Sequence, residues 1–316
     1  MRCSPTLRVR GKNRRARLAS VVVTLLTLAA CSSGCRVLRC KTTEENITAA
    51  RSLSLQGMDA QQKDRWDQAE LLYASAVTKC PTDERARCGY AESLWRRGAQ
   101  QEAVAHMEQA VRLSGDDPER QVQLGCMYLS RGELNKALAA SKKAIAANQQ
   151  LPAAWALRGD VLRAEGDRND ALASYHRALS YREHYPEVQL AVAEIYSQQN
   201  RPDRALATLQ SLGDHYPPGQ TPSDVHYRQG LVLRDLGRFY HAAQCLARAT
   251  AGGQSSPDML YELGRTHLLA GDVTSARLAC SSALTGHPQH APSLALRAEL
   301  DGQQIRMAAA IEPRQF

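Results

Sequence analysis

Nine cysteines and nine histidines are the side chains here best suited to metal binding, redox or nucleophilic chemistry, so their spacing decides what chemistry is open. The cysteines are Cys3, Cys31, Cys35, Cys40, Cys80, Cys88, Cys126, Cys245 and Cys280. None forms the Cys-x-x-Cys pair of a zinc site. Cys35 with Cys40, and Cys80 with Cys88, are close enough along the chain to bridge in an oxidising compartment. The histidines are scattered, and His287 and His290 flank a turn, where they read as exposed loop residues rather than ligands. His-Glu-x-x-His, Gly-x-Ser-x-Gly, the phosphate-binding loop and the dinucleotide fingerprint are all missing. Catalysis needs groups that converge. The expectation is a non-enzyme without metal or cofactor.

The chain has 316 residues, 43% of them hydrophobic and only 5% aromatic. A single core stops growing near about 250–300 residues, so the length asks for two globular units or an elongated array. An Ala-rich, aromatic-poor composition suits helices packed through small side chains better than a sandwich or barrel. The hydrophobic fraction is too high for disorder. The formal charge of +8 suggests an anionic partner until it is located. Arg2, Arg8, Arg10, Lys12, Arg14, Arg15 and Arg17 stand in the first thirty residues with no acid, and without them 33 basic residues face 32 acidic ones. No nucleic-acid partner is implied.

After that cationic stretch, Leu18 to Ala30 are thirteen residues without a charge. A spanning helix needs roughly 20 apolar residues, so the run is short for an anchor, and a charged start with a short apolar core marks a secretory signal. Leu28-Ala29-Ala30-Cys31 resembles the lipobox of bacterial lipoproteins. That resemblance implies a signal over 1–30, cleavage before Cys31 and a diacylglycerol on its thiol. Each buried CH₂ adds about 0.8 kcal/mol, and two or more chains make anchoring stable. Ser32 at the next position fits sorting to the outer membrane, so the resemblance puts the chain in the bacterial envelope, lipid-anchored and facing the periplasm. An ordinary cleaved signal or a short uncleaved anchor, with Cys31 incidental, is the alternative. Residues 31–43 lack periodicity and read as a flexible linker, and Thr42 with Glu45 has the form of a capping box.

In the body of the chain Ala69, Ala103, Ala137, Ala171 and Ala205 stand 34 residues apart, then Ala242 follows after 37 and Ala276 after 34. Twelve residues before each stands another small residue, Gly57, Ala91, Gly125, Gly159, Ala193, Gly230 and Gly264. Seven residues after come Ala76, Ala110, Ala144, Ala178, Leu212, Ala249 and Ala283. Such a register predicts antiparallel helix pairs, with small residues where axes approach to about 8–10 Å. Leu94, Tyr128, Leu162, Tyr196 and Leu233 on first helices, and Tyr73, Met107, Tyr175, Leu209 and Leu246 on second ones, fill the space between. Gly132, Gly166, Gly237 and Gly271 fall at the turns, where a left-handed residue ends a helix. Cys126, Cys245 and Cys280 read as small apolar fillers.

This pattern resembles the tetratricopeptide repeat over about residues 50–290, best in Ala154-Trp155…Gly159…Ala171…Tyr175…Ala178 and in Trp66…Ala69…Tyr73…Ala76…Pro81. Departures are Arg87, Gln121, Gln189 and His226 at the Trp position, and a closing Pro only as Pro81, Pro217 and Pro288. Pro118, Pro152, Pro186 and Pro257 instead open the next unit, where Pro suits a helix start. The resemblance implies an all-α fold, a right-handed α-solenoid of antiparallel helix pairs. Seven repeats are expected at about 50–83, 84–117, 118–151, 152–185, 186–222, 223–256 and 257–290. A capping helix over 291–304 and a loose tail over 305–316 follow. The Pro/Gly-rich stretch from His215 to Ser223 accounts for the longer spacing and marks a place where the superhelix angle can change, rather than a domain boundary.

In such an array the first helices line a concave groove, and their fifth, ninth and twelfth places face it. The family's clamp for chaperone C-terminal carboxylates uses Lys and Asn at the fifth and ninth places, which are mostly apolar or acidic here. What remains is an acidic, partly apolar middle, Glu92, Trp95, Asp160, Arg163 and Glu194, and a C-terminal cluster of Tyr227, Arg234, Tyr261 and Arg265. Tyr and Arg are enriched at interaction hot spots, and adjacent first helices would set the two tyrosines side by side. The alternative is that the rings fill space between helices and the charges are solvated. The implied function is a membrane-anchored scaffold holding a protein or peptide in its groove, in envelope, secretion or pilus assembly. A regulator of a cell-wall enzyme or a glycan-binding, Sel1-like array is the competing reading. It would want aromatic platforms, and of three Trp residues Trp66 and Trp155 occupy repeat-structural places.

Overall fold

The computed structural model describes residues 43–251 and 255–311, with side chains as far as residue 302. The leader, Cys31, Cys35, Cys40 and Thr42 of the expected capping box lie outside the described residues. Among the described residues there are fifteen helices and no strand. They fall into two units that divide between Ala99 and Gln100. The lengthened 215–223 stretch lies inside the second unit, and the division instead separates the two helices of the expected second repeat.

The first unit holds α1 (Glu44–Gln62), α2 (Trp66–Lys79) and α3 (Glu84–Arg97). In the second, α4 (Gln100–Leu113) precedes five hairpins: α5 (Pro118–Ser130) with α6 (Leu134–Ala147), α7 (Pro152–Glu165) with α8 (Arg168–Tyr181), α9 (Pro186–Gln198) with α10 (Pro202–Asp214), α11 (Ser223–Asp235) with α12 (Phe239–Thr250), and α13 (Pro257–Leu269) with α14 (Val273–Gly286). A last helix, α15, runs Ala291–Ile311, so the expected loose tail starts later than 305 because the backbone stays helical to Ile311.

Each helix starts where the local chemistry allows. Pro118, Pro152, Pro186, Pro202 and Pro257 occupy the first turn, where no amide partner is lost. Asp83, Asp117, Ser256 and Asp272 accept amide N–H groups of the opening turn with their side chains. Each first helix ends on one recurrent elbow. Gly132, Gly166, Gly237 and Gly271 take positive φ as their spacing predicts, and Asp64, Gly98 and Asn200 take it at the same register. The next amide reaches back to a carbonyl five residues earlier, as in Arg65 to Ala60, Ala99 to Leu94, Asp167 to Leu162 and Arg201 to Tyr196, at 2.8–2.9 Å. This is the Schellman bond. Asp and Asn substitute for Gly because they tolerate the left-handed region best among the other residues.

The alanines at 69, 103, 137, 171, 205, 242 and 276 are all 0% exposed. The reason for the small residue twelve positions earlier is now visible. A Cβ on Gly159 would lie 2.5 Å from the Tyr175 ring, and one on Gly230 would lie 2.6 Å from Leu246. Gly57 and Gly89 flank the Tyr73 ring, with added Cβ atoms at 2.8 and 2.3 Å. A large side chain on the second helix is thus seated in a notch of the first. Tyr73, Met107, Tyr175, Leu209 and Leu246 are buried, as are Leu94, Tyr128, Leu162, Tyr196 and Leu233. Full burial of one such side chain stabilises by about 1.5–3 kcal/mol.

Within the second unit, first helices of neighbouring hairpins touch, α5 with α7 and α11 with α13, and α13 touches α15. Among the described residues no pair of second helices comes as close. That asymmetry puts the first helices on the inner face of the stack. Leu296 and Leu300 of α15 close the last apolar cluster with Ala276, Cys280 and Leu284.

Candidate interaction face

Several inner-face residues are bridged between helices. In two places a side chain at the twelfth place of one first helix reaches the ninth place of the next. In the first unit Gln61 on α1 donates through Nε2 to Glu92 Oε2 on α3 at 3.0 Å, and the Tyr73 hydroxyl donates to Gln61 Oε1 at 3.0 Å. In the second unit Arg163 on α7 donates through Nη1 to Glu194 Oε2 on α9 at 3.3 Å. On α11 the ninth place of the following helix is Arg265, a cation, and Arg234 bonds instead to Glu262, one turn earlier on α13. A further bridge, His290 Nε2 to Asp258 Oδ1 at 3.0 Å, ties α15 to α13.

Most of the expected groove charges are therefore engaged between helices. Glu92 also accepts from Cys88 Sγ at 3.6 Å. Asp160 accepts from the Tyr175 hydroxyl at 2.7 Å and lies 3.9 Å from Arg163. Burial raises its carboxyl above the usual range, against the opposing pull of the Tyr175 hydrogen bond and the Arg163 charge. The Tyr73 hydroxyl is pushed up to about 12 by burial first and by the charges of Glu92 and Cys88 next. Trp95 is half-buried.

The C-terminal cluster is built differently. Tyr227 on α11 is half-buried against Leu246, Leu263 and Ala279, while Tyr261 on α13 packs on the cluster of Ala276, Cys280 and Leu300. The two rings thus belong to separate cores. Burial, then the charges of Glu262 and Asp258, raise the Tyr227 hydroxyl. Arg265 is exposed and its Nη1 lies 3.5 Å from the Tyr261 hydroxyl.

Cys80 and Cys88, close enough along the chain to bridge, are not joined: Cys80 lies in an apolar cluster with Ala50, Ala76 and Ala86, and Cys88 turns to Glu92. Two expectations need correction. Cys126 is exposed rather than a core filler, since the ninth place faces outward from the helix pair; Cys245 is half-buried and Cys280 buried. His290 is no loose loop residue: its ring is held edge-on to Tyr261 at 6.3 Å, with Nδ1 2.8 Å from Ser293 Oγ. Trp66 and Trp155 are spent locally, Trp66 on Asp64 and Arg96, Trp155 on the Gln149 carbonyl and Arg158. Sequence reading missed the partners Gln61, Glu262 and Asp258. Their signal is a polar residue 28 to 32 positions before or after another.

Among the described residues no group of three or more potential metal ligands occurs, and no helix is long and apolar enough to cross a membrane. Stacked hairpins with a notch-and-plug core and bridged first helices define a helical-repeat protein. Tetratricopeptide repeat models match residues 54–118, 118–151, 162–222 and 227–291. The chain belongs to the tetratricopeptide repeat family. Among solved structures it is similar to PilW, a widely conserved type IV pilus biogenesis factor, with 17% identity, a TM-score of 0.60 and coverage of 66% of this chain and 96% of that one. A tetratricopeptide repeat protein from Parabacteroides merdae matches at 16% identity and a TM-score of 0.57, over 79% of this chain and 97% of its own. YrrB, a tetratricopeptide protein with an unusual peptide-binding site, matches at 19% identity and a TM-score of 0.52, over 61% and 97%. At these identities the likeness is one of fold. No curated protein sequence matches the chain.

Proposed function

We propose that the chain is a non-catalytic recognition scaffold that takes a protein or peptide partner on the inner face of α11 and α13, and that a lipid on Cys31 holds it to a membrane of the bacterial envelope. The observation that carries the recognition reading is the trio Tyr227, Tyr261 and Arg265. Two aromatic rings are anchored by their inner edges in separate cores, and an exposed guanidinium stands beside one of them. Anchored rings lose little conformational freedom on binding, which is why such residues serve as hot spots. Glu92, Asp160, Arg163, Glu194 and Arg234, with Trp95, form the rest of the proposed face, each set within its own unit. Their charges are already bridged, so they tune selectivity more than they supply affinity.

The lipid anchor and the outer-membrane location facing the periplasm rest on the leader and on Leu28-Ala29-Ala30-Cys31. A role in envelope, secretion or pilus assembly is supported by that leader together with the likeness to a pilus biogenesis factor. Two measurements test the proposal. Palmitate should label the wild type and not Cys31→Ala; equal labelling removes the anchor. Tyr227→Ala with Tyr261→Ala should abolish partner capture while helicity by circular dichroism is kept. Capture that persists moves the partner to another face.

A further inference from the structure

The outer side of α12 carries a second surface that the inner-face reading does not use. A cleft of about 1070 Å³ runs across α12, between the elbow at Gly237 and the elbow at Ala270. Tyr240 lies in it 69% exposed and Leu269 47% exposed, among the few large apolar side chains left in solvent. The edge of the Tyr240 ring meets His241 at 5.7 Å, and half-buried Cys245 forms part of the wall.

The cleft is also cationic. Arg238 and Arg248 both line it, both are exposed, and neither guanidinium has an acidic partner among the described residues. Its single carboxylate, Asp272, is occupied: it caps the Ser275 amide at 3.0 Å and lies 3.6 Å from His267 Nδ1. In this unit Arg163, Arg234 and Arg277 are paired with acids, whereas Arg238 and Arg248, like Arg265 on the inner face, stand in no ion pair among the described residues. Two guanidiniums lining one cleft with an exposed aromatic ring fit an anionic, partly apolar ligand. The chain's own cationic leader is of the wrong sign to fill the cleft. The surface is recessed between two elbows, which suits a peptide segment better than a flat lipid surface.

We propose that this outer cleft docks an acidic segment of a partner protein, with a large apolar side chain of that segment seated against Tyr240 and Leu269 and its carboxylates on Arg238 and Arg248. The site is separate from the inner face, so a protein using both would hold two segments at once.

The test uses the full chain and two fluorescein-labelled synthetic peptides, one alternating Asp and Glu around a central Phe, the other with Lys in place of every acid. Fluorescence anisotropy should show the acidic peptide bound and weakening as salt rises, with the basic one unbound. Arg238→Glu with Arg248→Glu should weaken the acidic peptide by about tenfold or more and admit the basic one. Tyr240→Ala should weaken it by about three- to tenfold. Equal binding of both peptides, or unchanged affinity in these variants, overturns the proposal. So does a loss that follows Tyr227→Ala and Tyr261→Ala instead, which puts the peptide on the inner face. Binding to phosphatidylglycerol vesicles but not to the peptide, or a concentration-dependent dimer lost with Tyr240→Ala, likewise replaces the peptide with a membrane or a second copy.

Discussion

At the scale of single residues, glycine serves two unrelated purposes in this chain. Gly159 has ordinary helical φ and is small because the Tyr175 ring occupies its side-chain space, whereas Gly166 has φ of 92° and open space around it. Gly159→Val should cost about 1–3 kcal/mol by overpacking. Gly166→Val should cost about 1–2 kcal/mol by backbone strain. Asn should rescue position 166, as Asn200 already does at the same register with φ of 56°, and should fail at 159. Urea midpoints distinguish the two, and equal tolerance of Asn would refute the distinction. Tyr73 gives a pH signature. Its hydroxyl is held near 12 in the fold and near about 10 when unfolded. The unfolded chain therefore loses its proton first, so stability is full below about pH 10 and falls as pH rises through the folded value. Tyr73→Phe cannot ionise, and its stability deficit should shrink as pH rises from about 10 to about 12. A constant deficit would contradict the assignment.

At the scale of the element, polar bridges join neighbouring first helices at α1–α3, α7–α9 and α11–α13. The Arg163–Glu194 pair is 41% and 38% exposed at its side chains, so a double-mutant cycle should give only about 0.2–1 kcal/mol. The Arg234–Glu262 pair, 21% exposed on both sides, should couple more strongly. A weaker coupling there would mean the two bridges are ordered the other way. These elements show what a sequence can carry. Period, notch and plug were legible because each is a local volume requirement repeated at constant spacing, from Gly57 with Tyr73 to Gly230 with Leu246. The bridges were not, because their partners lie on different helices and Arg234 shifts by one turn to avoid Arg265. The inner-face positions could be read by register, yet whether a charge there is free depends on a neighbour that register alone does not name. His290 and Cys126 were misread for the same reason.

At the scale of the whole molecule, the chain is a series of stacked helix pairs, and among its described residues no group of three or more potential metal ligands occurs. Two features distinguish its inner face from a merely solvated one: rings fixed at one edge by separate cores, and Arg265 left exposed beside Tyr261. Repeat proteins unfold as coupled neighbours rather than as one block, and this chain divides at Ala99. Hydrogen exchange should accordingly show the described helices before and after that point losing protection with different free energies. A single value throughout would contradict this.

The most direct test of the recognition account is site-specific photocrosslinking in the cell of origin, from a benzoylphenylalanine placed at Arg265 or at Ala173, an exposed position on the second helix α8. The account predicts a discrete protein adduct from position 265 that disappears when Tyr227→Ala and Tyr261→Ala are added, with little adduct from 173. Equal yields from both positions, or an adduct at 265 indifferent to the tyrosines, would contradict it.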